Sequence, residues 1–218
     1  MKKIIKIALI IFIFMLIWKN RYLVLNRNFD QLRHAVEGEE VLVMNTIYGE
    51  LKFRLFEKEA PKAVNVIRER VKSGYYSDMP IHRVERRFII QTGKLDKLVY
   101  GKKENPRRDF SDEANNKAHH FRGALAFENS DTKNQGEIFI VDGKKPKTKD
   151  DLSGYDSHIE KAYRERGGLP KLDGKSTVFA QLYDSDDVLN RISKIRVMGG
   201  WKPEFEFKII GAKIEKIK

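Results

Sequence analysis

From Val41 onward the chain is written as short apolar runs separated by turn residues, and this pattern narrows the fold more than any other feature. Candidate strands are Val41–Met44, Leu51–Leu55, Phe88–Gln91, Ala124–Phe127, Ile138–Val141, Val178–Leu182 and Phe205–Ile210. Leu51-Lys52-Phe53-Arg54-Leu55 alternates apolar and basic residues behind a Tyr48-Gly49-Glu50 turn, the mark of a hairpin with one buried face. Helical signals are few. Ala60-Pro61 opens one helix, on which Val64, Ile67 and Val71 share a face until Gly74 ends it. A second fits Asp186–Ile195, with Asp184 or Ser185 as its cap. Many short strands with so few helices predict a mainly β fold, a closed barrel or sandwich with helical caps. No internal repeat is present.

The N-terminus is of a different kind. Ile4 to Trp18 is apolar except for Lys6, between Met1-Lys2-Lys3 and Lys19-Asn20-Arg21. Its uninterrupted part is as long as a signal-peptide core and shorter than the roughly 20 residues of a full span. No small-x-small cleavage site follows Trp18. Counting Tyr22–Leu25, with Lys6 and Arg21 reaching to the interfaces, a short uncleaved span is feasible. A signal anchor or transmembrane helix over 1–25 is therefore favoured over a cleaved peptide. Its N-terminus is expected inside and the rest of the chain outside the cytoplasm. Residues 26–40 read as a linker with at most a helical turn, and the folded domain is expected over 41–218.

Composition excludes several function classes. With no cysteine there are no disulfides, thiolate metal sites or cysteine nucleophiles. Lys and Arg number 43 against 31 acidic residues, a net charge of +12, which would suit an anionic partner. The excess is dispersed, however, and the densest run, Lys144 to Lys149, meets Asp150-Asp151 at once without interleaved aromatics. That argues for a solvated loop and against nucleic acid. His119-His120, with His34 and His158 far away in sequence, could suggest a metal. Adjacent residues on an extended chain point apart, and no HExxH-like pairing exists, so no metal site is expected.

One constellation does carry chemistry. Ile81-His82-Arg83-Val84 followed by Phe88-Ile89-Ile90-Gln91-Thr92-Gly93 resembles the central signature of the cyclophilins. Tyr48-Gly49, Leu55-Phe56, Ala60-Pro61-Lys62 and Ser73-Gly74-Tyr75-Tyr76 agree with that family in order and spacing. So do Phe110-x-Asp112-Glu113, His119, Gly123 to Phe127, Phe139-Ile140 and Leu172-Asp173-Gly174-Lys175 closed by Val178-Phe179. The resemblance runs from about Val41 to the C-terminus. It implies a closed eight-stranded antiparallel barrel capped by two helices, a proline pocket on its outer face, and neither metal nor cofactor. The implied activity is peptidyl-prolyl cis/trans isomerisation of proline-containing polypeptides, and the chain is expected to act as a monomer.

The chemistry asks for little more than those residues. An X-Pro amide is held planar by a barrier of about 18–20 kcal/mol, and a catalyst must stabilise its twisted form without making a bond. Only in that form does the prolyl nitrogen regain a lone pair, so a fixed donor aimed at it binds the transition state selectively. Arg83 matches the family's catalytic arginine, whose planar, permanently charged fork suits that task. Gln91 matches the glutamine that steadies it. Phe88 and Phe139 match the aromatic pocket walls, Ile89 and Leu172 the aliphatic lining, and Asn129 a donor and acceptor for the substrate chain. His82, next to Arg83 on a strand, is expected on the opposite face as a buried structural residue.

Several positions depart from the family. Arg86-Arg87 stand where Pro-Gly is usual, Thr92 replaces a glycine, Lys171 an aromatic and Ser176 a histidine. Glu137 replaces a glutamine and could pair with the Arg83 guanidinium. An insertion over about 142–170 holds a helix at Ser157 to Arg166 and would lie beside the substrate face, either selecting clients or inert. These departures leave a non-catalytic proline-binding module or chaperone as the alternative function.

Overall fold

The structure is a computed structural model that describes residues 29–93, 113–114, 117–128, 137–147 and 152–218. The chain divides into two compact units, residues 1–30 and 31–218, and Phe29 and Asp30 are the described residues of the first. The apolar segment expected to anchor the chain, and Asn129, lie outside the described residues. Among the described residues no helix is long and apolar enough to cross a membrane.

Eight strands follow in order: β1 (Glu40–Thr46), β2 (Gly49–Leu55), β3 (Met79–Glu85), β4 (Ile89–Thr92), β5 (Ala124–Phe127), β6 (Ile138–Val141), β7 (Val178–Asp184) and β8 (Lys208–Lys216). They pair antiparallel throughout and close into a barrel in the order β1-β2-β7-β5-β6-β4-β3-β8. Closure leaves no open edge. Three helices accompany the strands among the described residues: α1 (Pro61–Lys72), α2 (Ser157–Arg166) and α3 (Asp186–Ile192). Proline opens α1, and the Glu113 carboxylate caps it by accepting the backbone N–H groups of Lys62 (3.1 Å) and Ala63 (2.9 Å).

Strand alternation sorts side chains into two layers. Val84, Ile90, Leu125, Phe127, Ile138 and Ile140 point inward and join the apolar faces of α1 and α3 in one core. Burying such side chains is worth about 1.5–3 kcal/mol each. Their neighbours along the same strands, Arg83, Ile89, Gln91, Ala126 and Phe139, point out of the barrel.

The helix expected in the insertion at Ser157 to Arg166 is α2, so three helices accompany the barrel where the resemblance implied two caps, and α2 packs its Tyr163 with Phe121 and Leu152 in a second apolar cluster. Two expectations need correction. The segment read as a linker is partly docked: Gln31 is 4% exposed, and its amide bonds both the N–H (2.7 Å) and the carbonyl (2.6 Å) of His119. The last strand lies further along than Phe205–Ile210, because Lys208–Lys216 alternates against β1 while Phe205 is 77% exposed.

Candidate active site

The outward residues of β3, β4, β6 and β5 meet on one face because they oppose each other in register. Arg83 stands opposite Gln91, Glu85 opposite Ile89, Gln91 opposite Phe139 and Phe139 opposite Ala126. Residues directly opposite on antiparallel strands share a face. Five residues named from the sequence, Arg83, Gln91, Ile89, Phe139 and Glu137, thus come together.

Arg83 is held on three sides. Its Nη1 donates to Gln91 Oε1 (2.9 Å), its Nη2 donates to Glu85 Oε2 (2.5 Å), and its guanidinium carbon lies 5.9 Å from the Phe88 ring centre. The remaining N–H bonds of the fork stay available to a ligand. The carboxylate on the guanidinium is thus that of Glu85, two residues along the same strand face. Sequence reasoning passed over it, although an Arg-x-Glu spacing on a strand places both side chains together.

Glu137 borders the other side of the network. Its carboxylate lies 3.5 Å from His82 Nε2 and close to that of Glu128, whose oxygen accepts the Gln91 amide. Burial, and then the neighbouring Glu137 carboxylate, raise Glu128 above the ordinary carboxyl range, while Arg83 and Gln91 pull it back. His82 is not on the inner face. Ile81 pairs with Thr92 and Arg83 with Gln91, so His82 is the extra residue of a β-bulge, and its side chain is 27% exposed. A bulge breaks the alternation on which the inward expectation rested.

Phe139 is 3% exposed and forms the floor of the site. Behind it the fully buried His120 ring stacks nearly parallel, 6.0 Å between centres and 12° between planes. The two histidines do not point apart. His119 Nδ1 and His120 Nδ1 each donate to the Asp173 carboxylate at 2.8 Å, as do the His120 N–H (2.7 Å) and the hydroxyls of Tyr155 (2.8 Å) and Tyr163 (2.7 Å). Burial pushes Asp173 up, but these donors outweigh it and hold the carboxyl well below its usual range. Leu172 precedes Asp173 in a short 3-10 turn, Pro170–Leu172, and is half-buried beside this node. Gly168 carries the insertion in close: a Cβ there would sit 2.3 Å from the His120 carbonyl. Among the described residues no group of three or more acidic or imidazole side chains is arranged to hold a metal.

The Arg86-Arg87 departure keeps the turn that leads to Phe88. Arg87 takes the left-handed φ of 65°, and its N–H is fixed by the Asp142 carboxylate at 2.9 Å. That carboxylate also holds Arg122 (2.9 Å) and the Ser193 hydroxyl (2.6 Å).

The chain's similarities to known proteins show its family. The family model described as cyclophilin type peptidyl-prolyl cis-trans isomerase/CLD matches residues 41–214. The chain belongs to this family. It is a cyclophilin-type peptidyl-prolyl cis-trans isomerase by family, by relatives and by structure. A protein of Staphylococcus epidermidis (strain ATCC 35984), named "Putative peptidyl-prolyl cis-trans isomerase", is 32% identical over 87% of this chain and 99% of its own length. Its namesake in Staphylococcus aureus (strain USA300) is 34% identical with the same coverage. Among solved structures, a Cryptosporidium parvum cyclophilin type peptidyl-prolyl cis-trans isomerase, crystallised in the presence of the dipeptide Ala-Pro, superimposes with a TM-score of 0.62. It is 26% identical, over 81% of this chain and 99% of that one.

Proposed function

We propose that this cyclophilin isomerises X-Pro bonds of polypeptides folding outside the cytoplasm, with Arg83 as the catalytic donor and Gln91 as its positioning partner. The observation that carries this is the guanidinium fixed by Gln91 and Glu85 above an apolar floor, with N–H bonds left over. The prolyl ring would rest on Phe139, flanked by Phe88, Ile89 and Leu172, leaving the preceding carbonyl free to swing. As the amide twists, its nitrogen lone pair develops toward the free N–H of Arg83. That contact exists only in the transition state and so raises kcat. Asn129 and Glu137 would hold the substrate backbone upstream of the proline. The apolar segment over 1–25 would tether the monomer to the membrane with its catalytic domain outside; its length counted to Leu25 and the basic residues at both ends support the tether.

A protease-coupled prolyl peptide assay tests the centre. Arg83→Ala is expected to lower kcat/KM about 10²–10³-fold, the scale of losing one preorganised donor. Arg83→Lys should recover little, because an ammonium cannot reproduce the planar fork. Wild-type turnover indistinguishable from Arg83→Ala would overturn the assignment.

A further inference from the structure

The segment between α3 and β8 displays the largest apolar side chains the described surface leaves bare. Met198 is 50%, Trp201 47% and Phe205 77% exposed. They do not belong to a loose loop. Met198 N–H donates to the Lys202 carbonyl (2.7 Å), Trp201 N–H to the Met198 carbonyl (3.1 Å), and Glu204 N–H to the Arg196 carbonyl (3.0 Å), while Val197 and Pro203 form an isolated antiparallel bridge. The tip is a small hairpin, and Trp201 sits in it at a φ of 63°. A bulky residue held in the left-handed region costs about 1–3 kcal/mol, strain that tends to gather where a side chain is displayed for use.

The position of this arm says what it faces. β3, which carries Arg83, pairs along one edge with β4 and along the other with β8. On the β8 edge the pairing runs Met79 with Ile209 and Pro80 with Lys208, then the Ile81 N–H meets the Phe207 carbonyl (2.8 Å). Continuing toward Arg83, that edge is occupied by the residues leading into β8, and the Gly199–Trp201 turn lies against β3. The pocket floor, Phe139, lies beyond β4 on the other edge. A polypeptide with its proline on Phe139 and its twisting bond at Arg83 therefore reaches the arm within a few residues.

We propose that Met198, Trp201 and Phe205 form an apolar subsite for the flank of an unfolded polypeptide substrate, an extension of the site that rests on the isomerase reading above. A lipid surface fits less well, because Glu204 and Glu206 are interleaved with Lys202 and Lys208 and an anionic bilayer would repel them. Stacking and burial of apolar flanking residues bind substrate and transition state alike, so the arm lowers KM for long substrates.

The test uses the full chain in detergent micelles and two substrates: a four-residue X-Pro peptide, and a long peptide with leucine and phenylalanine on both sides of one proline. Phe205→Ser with Trp201→Asn, asparagine tolerating the left-handed backbone, should leave kcat/KM on the short peptide within twofold of wild type. On the long peptide KM should rise about tenfold with kcat unchanged, about 1.4 kcal/mol of lost binding. In a Trp18→Phe background the emission of Trp201 should shift to the blue on adding the long peptide. Equal losses on both substrates, or none on the long one, overturn the subsite. So does a Trp201 emission that responds to phosphatidylglycerol vesicles and not to the peptide. Failure of wild type on the short peptide would instead sink the isomerase assignment itself.

Discussion

Two charged clusters lie on opposite sides of Phe139, and they are built on opposite principles. On the inner side Asp173 is saturated: five donors from five groups converge on one buried carboxylate. On the outer side Arg83 is half-exposed and only partly used, and the Glu128 and Glu137 carboxylates stand together against ordinary electrostatic preference. The Asp173 carboxylate has no acceptor capacity left for a ligand and so is fitted to hold structure. The outer one keeps donors free and charges unbalanced, which is what binding a changing substrate requires. The difference teaches where function sits: at the cluster that folding has left incomplete.

Breaking the saturated cluster should give the largest stability effect. Asp173→Ala would take the acceptor from both imidazoles, the Tyr163 hydroxyl and the His120 backbone N–H, while the Tyr155 hydroxyl keeps the Pro170 carbonyl at 3.0 Å. Removing one partner of a buried charged network costs about 3–5 kcal/mol. For a domain of this size that is a fall in Tm of about 10 °C by calorimetry. The pH dependence follows from the depressed pKa. A carboxyl whose folded pKa lies below its unfolded value, 3.8, contributes stability that is fully present above that value and is lost as pH falls through the folded pKa. The Tm gap between wild type and Asp173→Asn should therefore stay constant from pH 8 to 5 and narrow only below about 4. A gap that closes already between pH 6 and 7 would show that Asp173 does not govern the node.

Perturbing the open cluster should act on rate instead. Glu85→Ala frees Nη2 of Arg83 and leaves the Gln91 hydrogen bond on Nη1 as the polar restraint. The guanidinium then samples more rotamers, and kcat should fall about threefold to tenfold, up to ~1.4 kcal/mol in the barrier. KM should hardly move, since Phe139 and Ile89 are untouched. Glu85→Gln keeps an acceptor oxygen and should recover most of the rate. A rate equal to wild type in Glu85→Ala would show that Gln91 alone orients the arginine.

The same contrast explains what was legible in the sequence. Strand runs with inward residues such as Ile90, Ile138 and Phe127 were visible because alternation and burial are local signals. Arg83, Gln91 and Phe139 were visible because the surrounding motif is contiguous. His82 was misplaced because a bulge depends on register with β4, which no local pattern reports. The convergence of His119 and His120 on Asp173 was hidden for the same reason: it joins residues 53 and 54 apart in sequence. Gln31 looked like linker because a single buried amide carries no periodicity, although it bonds to His119 88 residues away. Glu85 is legible in its two-residue spacing from Arg83, which puts both side chains on one strand face.

The smallest effect concerns the crowded carboxylates. Glu128 and Glu137 extend the β5–β6 ladder, the Glu128 N–H donating to the Glu137 carbonyl at 3.0 Å, so two like charges stand opposite each other. Burial first, and the Glu137 carboxylate second, raise the pKa of Glu128. A carboxyl raised in the folded state contributes stability that is fully present below its unfolded pKa and lost as pH rises through the folded one. Wild type should therefore be strained at neutral pH and relaxed near pH 4. Glu128→Gln removes the repulsion at all pH values and keeps an oxygen to accept the Gln91 amide. Its Tm should exceed that of wild type by a degree or two at pH 7, a gain discounted for solvent screening at a half-exposed site. The gain should shrink as pH is lowered through the raised pKa of Glu128 and be gone below the ordinary value of 4.5. Turnover should stay within twofold, because Arg83 retains both of its restraints. A Tm lower than wild type at pH 7 would mean that the Glu128 carboxylate stabilises the site through Arg83 more than it is destabilised by Glu137, and the contrast between a saturated inner cluster and a strained outer one would fail at this point.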